Sequence, residues 1–249
     1  MEGYLVVTVS SLSLIAGDVS VVSQVSFSLK PGTVTVLMGP NGSGKSSLLN
    51  AIAGHPAYTV ANGSISYNSQ DITLLSPDKR ARLGFFLSVQ NPHALPGISV
   101  NTLLKESFRA LNPRALGKEY DKRVAQACQI LQCSPQFLER SVHQGFSGGE
   151  KKRCEMLQLL VLQPQVVLLD EIDSGLDVDA LKSIGTALQW YLQQRPQTTV
   201  LLVTHYQNIL PYVSTDSVLV MKEGTLVASG DATILTKIAK DGYEQFVTT

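Results

Sequence analysis

The chain has 249 residues with 20 Lys and Arg against 20 Asp and Glu, so it carries no formal net charge and a nonspecific nucleic-acid binder is disfavoured. At 44% hydrophobic and 16% charged residues it can bury roughly three quarters of its extended surface, which excludes disorder. Apolar runs stop at four residues, as at 166–169, against the ~20 that a membrane-spanning helix needs.

In chain order, β-rich runs at 4–10, 21–29 and 33–38 predict three strands, the last following the Pro31-Gly32 turn. The glycine-rich stretch 39–44 then breaks the pattern. Leu48, Leu49 and Ile52 within 46–53 recur at helical spacing, so the order is strand, glycine loop, helix. Over 91–146 strand signals vanish, four of the eleven prolines cluster there, and Val124, Ala127, Cys128 and Leu131 trace a helical stripe, which predicts an inserted helical subdomain. Compact apolar runs at 166–170, 199–203 and 217–221 predict further strands, and Leu181, Ile184, Leu188 and Tyr191 share one face of a helix between the first two. Such alternation implies a parallel sheet covered on both sides. Two strands over 218–229 flank Lys222-Glu223-Gly224, and 233–239 reads as a closing helix.

Cys128, Cys133 and Cys154 make an odd count without a CxxC pair, which argues against a disulfide framework or a structural zinc site and fits buried, small apolar residues in a reducing compartment. The first basic residue is Lys30, so the start lacks the charge pattern of a secretory or transit signal, and the expectation is a cytoplasmic chain that begins near Met1.

Three motifs carry chemistry. Gly39-Pro40-Asn41-Gly42-Ser43-Gly44-Lys45-Ser46, followed by Ser47, fits the P-loop pattern, whose glycines let backbone N–H groups turn inward on phosphate oxygens at a helix N-terminus. Lys45 is then expected to hold the β- and γ-phosphates and Ser46 to ligate Mg²⁺. The apolar run 166–169 ends in Asp170-Glu171, where Asp170 can hold the magnesium shell and Glu171 can orient or deprotonate water. Ser147-Gly148-Gly149-Glu150 reads as a capping box. Its paired glycines are poor helix formers, so the reading preferred is a backbone that approaches phosphate closely. Lys151, Lys152 and Arg153 read as an exposed charged face, and His55, His93 and His143 as core or surface residues.

The order of the P-loop, Gln90 at a strand end, Ser147-Gly148-Gly149-Glu150, Asp170-Glu171, Ser174-Gly175-Leu176-Asp177 and Thr204-His205 resembles an ABC-type ATPase over nearly the whole chain. Spacing supports it, with 102 residues from Lys45 to Ser147 and 23 from there to Asp170. The finer resemblance is to the SufC family, ATPases of the SUF iron-sulfur cluster assembly system. It is carried by Gly145-Phe146 and the signature through Arg153, Asp173 to Asp177, Asp179-Ala180-Leu181-Lys182, Thr204-His205-Tyr206-Gln207, Pro96-Gly97 and Asp241-Gly242-Tyr243. Ile172, Asn91 and the absence of an aromatic over 17–22 depart from family habit, and Val19 or Val21 is expected to supply an apolar base contact instead.

The resemblance implies a single α/β domain over 1–249, a P-loop NTPase of the ABC ATPase type. Its nucleotide-binding core, RecA-like with an antiparallel β subdomain, takes 1–90 and 163–249, with an inserted helical subdomain and signature helix over 91–162. It implies ATP and Mg²⁺ as cofactors, Ser46, Gln90 and Asp170 at the metal, Glu171, His205 and Lys45 in catalysis, and Asp177 coupling two sites. It also implies a transient head-to-tail dimer, in which Ser147, Gly148, Gly149 and Glu150 of one subunit close over nucleotide on the other, and SufB/SufD-like scaffold proteins as partners, with no nucleic acid and no membrane insertion. The alternative is the nucleotide-binding subunit of a membrane ABC transporter. A DNA-maintenance clamp lacks its long coiled coil here, and a nucleotide kinase leaves Ser147 unexplained.

Overall fold

The computed structural model describes residues 7–115, 117–204 and 208–246. Its first layer is an antiparallel sheet. Strands β1 (Val7–Ala16) and β2 (Val19–Leu29) pair as neighbours and precede β3 (Val34–Met38), the glycine loop and helix α1 (Lys45–Ala53). Strands β4 (Tyr58–Tyr67) and β5 (Gln70–Asp71) complete this sheet in the order β2-β1-β4-β5. In β1 the buried positions change from Val7 and Val9 to Leu12 and Leu14 across an irregularity at Ser11, whose φ is 46°. One extra residue there keeps both halves facing inward. The same irregularity hides β4 from pattern reading, since Asn62-Gly63 sits opposite and only Ile65 and Tyr67 are buried.

Helix α2 (Pro77–Arg82) leads to β6 (Phe85–Ser88), which ends two residues before Gln90. Arg80 is 2% exposed and donates to the carbonyls of Ala51 and Ile52 at the end of α1 and to those of Leu75 and Thr73. A buried guanidinium thereby closes the C-terminal end of the helix that starts at the glycine loop.

Strand β7 (Leu95–Ser99), helices α3 (Val100–Leu111), α4 (Gly117–Leu131) and α5 (Pro135–Glu139), and strand β8 (Ser141–Val142) follow. The helices match the expected insertion. The pair β7–β8 does not, because 91–146 was read as free of strands. Leu95 and Ile98 stay exposed and Pro96-Gly97 interrupts any alternation, so this short ladder leaves no periodic signal.

Helix α6 (Gly148–Leu162), strand β9 (Val166–Asp170), helix α7 (Val178–Gln194), strands β10 (Thr199–Val203), β11 (Ser217–Lys222) and β12 (Thr225–Gly230), and helix α8 (Thr233–Asp241) finish the chain. The second sheet runs β12-β11-β3-β10-β9-β6, parallel except at β12. Alternate residues of its central strands enter different cores: Val167, Leu169, Val200 and Leu202 face the helical side, while Val166, Leu168, Leu201 and Val203 face α1 and the antiparallel sheet. Central parallel strands covered on both faces are therefore apolar throughout. Among the described residues no helix is long and apolar enough to cross a membrane.

Candidate functional site

Strand β3 delivers the glycine loop to the C-terminal edge of the parallel sheet, where open α/β folds bind ligands. Gly44 has φ of 97°, and a Cβ there would lie 2.6 Å from the Val21 carbonyl, so only glycine lets the loop turn into α1 beneath β2. Gly39, with φ of 153°, sits equally close to the Met221 carbonyl, at 2.1 Å for a Cβ. Lys45 is 5% exposed and its Nζ donates to the carbonyls of Gly39 and Pro40 at 2.9 and 3.0 Å. Burial holds its ammonium below the usual lysine value, against the opposing pull of Glu171 and Asp170. Among the described residues the Ser43 hydroxyl is buried without a hydrogen-bond partner, an orphan that an anion in the loop would satisfy.

Strand β9 sets Asp170 beside this loop. The Ser46 hydroxyl donates to Asp170 Oδ1 at 3.1 Å, which gathers hard oxygen donors of the kind magnesium takes. Burial raises the Asp170 carboxyl, the Ser46 bond lowers it, and the Glu171 charge raises it further. A divalent cation would relieve that crowding of negative charge. At Glu171 the chain leaves the sheet with φ of 49°, and the Gln90 amide donates to Glu171 Oε2 at 2.6 Å. Non-glycine residues held in the left-handed region gather at functional sites.

Ser43, Gly44, Lys45, Ser46 and Glu171 line a cleft of about 980 Å³ together with Asn41, Gly42, Ser47 and Gln90. Its wall also includes Val19, 64% exposed, with Val21, and the Glu223-Gly224 turn between β11 and β12. Pattern reading took Lys222-Glu223-Gly224 as a turn only. Its place against the loop depends on long-range bonds, Gly224 N–H to Ser43 O at 3.1 Å and Ser23 N–H to Gly224 O at 2.8 Å.

The second predicted group lies elsewhere. Ser147, Gly148, Gly149, Glu150 and Asp177 line a separate cleft of about 420 Å³ that shares no lining residue with the first. The capping box is present: Ser147 Oγ accepts from Glu150 N–H, and Glu150 accepts from Ser147 N–H and pairs with Arg140. Asp177 caps α7 by accepting from Ala180 N–H at 2.7 Å. One chain thus keeps Ser147 apart from Lys45. His205 lies outside the described residues. Of the run read as an exposed charged face, Lys152 is instead buried, because its position on α6 turns it toward β6.

The cysteines behave as packing residues. Burial pushes the thiols of Cys133 and Cys154 up to about 12 and raises that of Cys128. At pH 8 the thiolate fraction of the first two is on the order of 10⁻⁴. A thiol-reactive disulfide dye should leave both unlabelled in the native chain and label all three cysteines after denaturation; rapid native labelling of Cys154 would overturn the assignment. Since the folded values exceed the unfolded ~8.5, stability falls as pH rises from there toward 12.

The ABC transporter family profile matches residues 22–174. A protein of Antithamnion sp., "Probable ATP-dependent transporter ycf16", is 35% identical over 98% of this chain and 98% of its own. "Probable ATP-dependent transporter slr0075" of Synechocystis sp. is 37% identical over 96% of this chain and 94% of its own. Among solved structures, "Dimeric Structure of MJ0796, a Bacterial ABC Transporter Cassette" superposes with a TM-score of 0.76 at 21% identity, covering 90% of this chain and 98% of that one. At that identity the likeness speaks for the fold.

Proposed function

This chain belongs to the ABC transporter family of ATP-hydrolysing cassettes, with ATP as substrate and Mg²⁺ as its ion, and we propose that it drives an iron-sulfur cluster assembly scaffold by ATP-dependent dimerisation. The observation that carries the dimer is the separation of two half-sites into two clefts of one chain. Two chains placed head to tail bring the Ser147-Gly148-Gly149 turn of one over the glycine loop of the other. Phosphoryl transfer to water needs positioning and charge stabilisation above all, and a helix N-terminus supplied by the second chain provides both only when the dimer is closed.

In this reading backbone N–H groups of the glycine loop and the Lys45 ammonium hold the phosphates, with Ser46, Asp170 and Gln90 around the metal. Magnesium supplies charge neutralisation of the phosphate oxygens. Glu171 takes the proton of the attacking water, His205 contacts the γ-phosphate, and Asp177 couples the two clefts. Val19 and Val21 offer the base an apolar surface.

The iron-sulfur assignment rests on the residue pattern of 145–153, 173–177 and 241–243. The partner surface is the arm after Gln90, where Leu95 and Ile98 are exposed on β7 while Gln90 itself bonds Glu171. A scaffold pressing on this arm acts directly on the catalytic carboxylate. Scrambling 91–98, with Gln90 and the α3 cap Ser99 kept, should abolish scaffold capture in pull-downs and the stimulation of ATPase rate while ATP binding persists. Undiminished capture would end the docking assignment. Co-purification from native cells identifies the partner by mass. A stable detergent-extracted complex with a membrane protein would instead favour the transporter subunit, the reading in line with the names of the relatives.

A further inference from the structure

Lys152 and Glu155 are each 5% exposed and Ser88, the last residue of β6, is 1% exposed, yet none of the three has a part in the chemistry above. A buried ion pair is unfavourable unless other hydrogen bonds complete it. Here they do. Lys152 Nζ lies 3.2 Å from Glu155 Oε2 and donates to the Val89 carbonyl at 3.0 Å. The Ser88 hydroxyl donates to the same carboxylate oxygen, Glu155 Oε2, at 2.8 Å. The Val89 carbonyl, of the residue before Gln90, and the neighbouring Ser88 hydroxyl are therefore held by two side chains one turn apart on α6. That helix begins at the Ser147-Gly148-Gly149 turn, roughly 6 to 10 Å from the two side chains along its axis.

An apolar pair of similar volume would fill the space between α6 and β6, at a cost set by the buried oxygens it leaves unpaired. It could not bond the Val89 carbonyl and the Ser88 hydroxyl. What the charges add is a fixed relation between Gln90, which bonds the catalytic carboxylate of its own cleft, and the signature turn, which serves the other.

We propose that Lys152 and Glu155 are positioning residues that bind the segment carrying Gln90 to the signature helix, so that nucleotide in one cleft sets the signature turn offered to the opposite cleft. The proposal rests on the two-protomer reading. Coupling of this kind requires an element whose position both sites bias, and the Ser88-Val89-Lys152-Glu155 cluster supplies the mechanical joint.

The test is the full-length double variant Lys152→Met/Glu155→Met, which removes one charge of each sign and leaves the net charge unchanged. It should fold, with a lowered melting temperature, and bind ATP within about twofold of the parent, while kcat falls at least about tenfold at unchanged KM. In the Glu171→Gln background the same pair should weaken ATP-driven dimerisation about tenfold. If the folded double variant keeps kcat and dimerisation within about twofold, the proposal is overturned. Should the double variant fail to fold, Ser88→Ala decides: a kcat reduced about threefold at constant KM supports the joint, and an unchanged kcat refutes it. A Glu171→Gln parent that stays monomeric with ATP would bring down the two-protomer reading and this proposal with it. A parent that dimerises alongside an equally dimeric Met pair would bring down this proposal alone.

Discussion

Glu171→Gln is expected to lower kcat by about 10²- to 10⁴-fold while ATP affinity stays near that of the parent, and to accumulate as a nucleotide-bound dimer. The reason lies in how little else the substitution disturbs. The proposed phosphate cradle is the glycine loop with Lys45, whose ammonium is held by the Gly39 and Pro40 carbonyls. Ser46 still donates to Asp170, and a glutamine oxygen can still accept from Gln90 where Glu171 Oε2 does now. What disappears is the capacity to take a proton from water at neutral pH. If closure needs ATP and opening needs hydrolysis, removing the base leaves the clamp shut. Single-turnover phosphate release and size-exclusion chromatography with Mg-ATP read the two halves separately. Turnover at the parent rate would strip Glu171 of its role. Slow turnover without a dimer would point to a base acting within one chain.

Residues whose chemistry demands a rare local arrangement were legible in the sequence. Gly39 to Ser46 is one such case, since Gly44 has no room for a side chain beneath the Val21 carbonyl. The buried strands β9 and β10 are another, because a parallel strand covered on both faces must be apolar throughout. Where long-range packing decides, local pattern is silent. Lys152 sits between two other cations and reads as solvated surface, yet Glu155 one turn further on and Ser88 from a distant strand complete its burial. The strand pair β7–β8 and the bulged run facing β4 likewise have no period of their own. Glu223-Gly224 joined the cleft wall only because β11 lies beside β3 and brings the turn against Ser43. The two clefts were legible as motifs, but their separation within one chain was a matter of geometry, and that separation makes the strongest test one of complementation.

Lys45→Met and Gly148→Asp should each lose at least about 10²-fold in ATPase rate when assayed alone, and a mixture of the two should recover about a quarter of the parental rate. Lys45→Met keeps the buried volume but removes the cation from the glycine loop, so every chain lacks the phosphate-binding half. Gly148→Asp strikes only the other half. A Cβ at 148 meets nothing nearer than the Gly175 carbonyl at 3.8 Å, and an aspartate in the first turn of α6 suits the helix dipole, so the fold has no cause to fail. Facing a triphosphate, however, the new carboxylate repels the charge that the turn is meant to attract. In a head-to-tail pair of unlike chains, one cleft carries both lesions and the other carries neither. Random pairing makes half the dimers mixed, each with one intact cleft, which sets the expected recovery. Phosphate release measured across mixing ratios should peak near equal amounts. A mixture no faster than either variant alone would mean that each chain completes its own pocket, or that the Ser147 turn meets no phosphate at all.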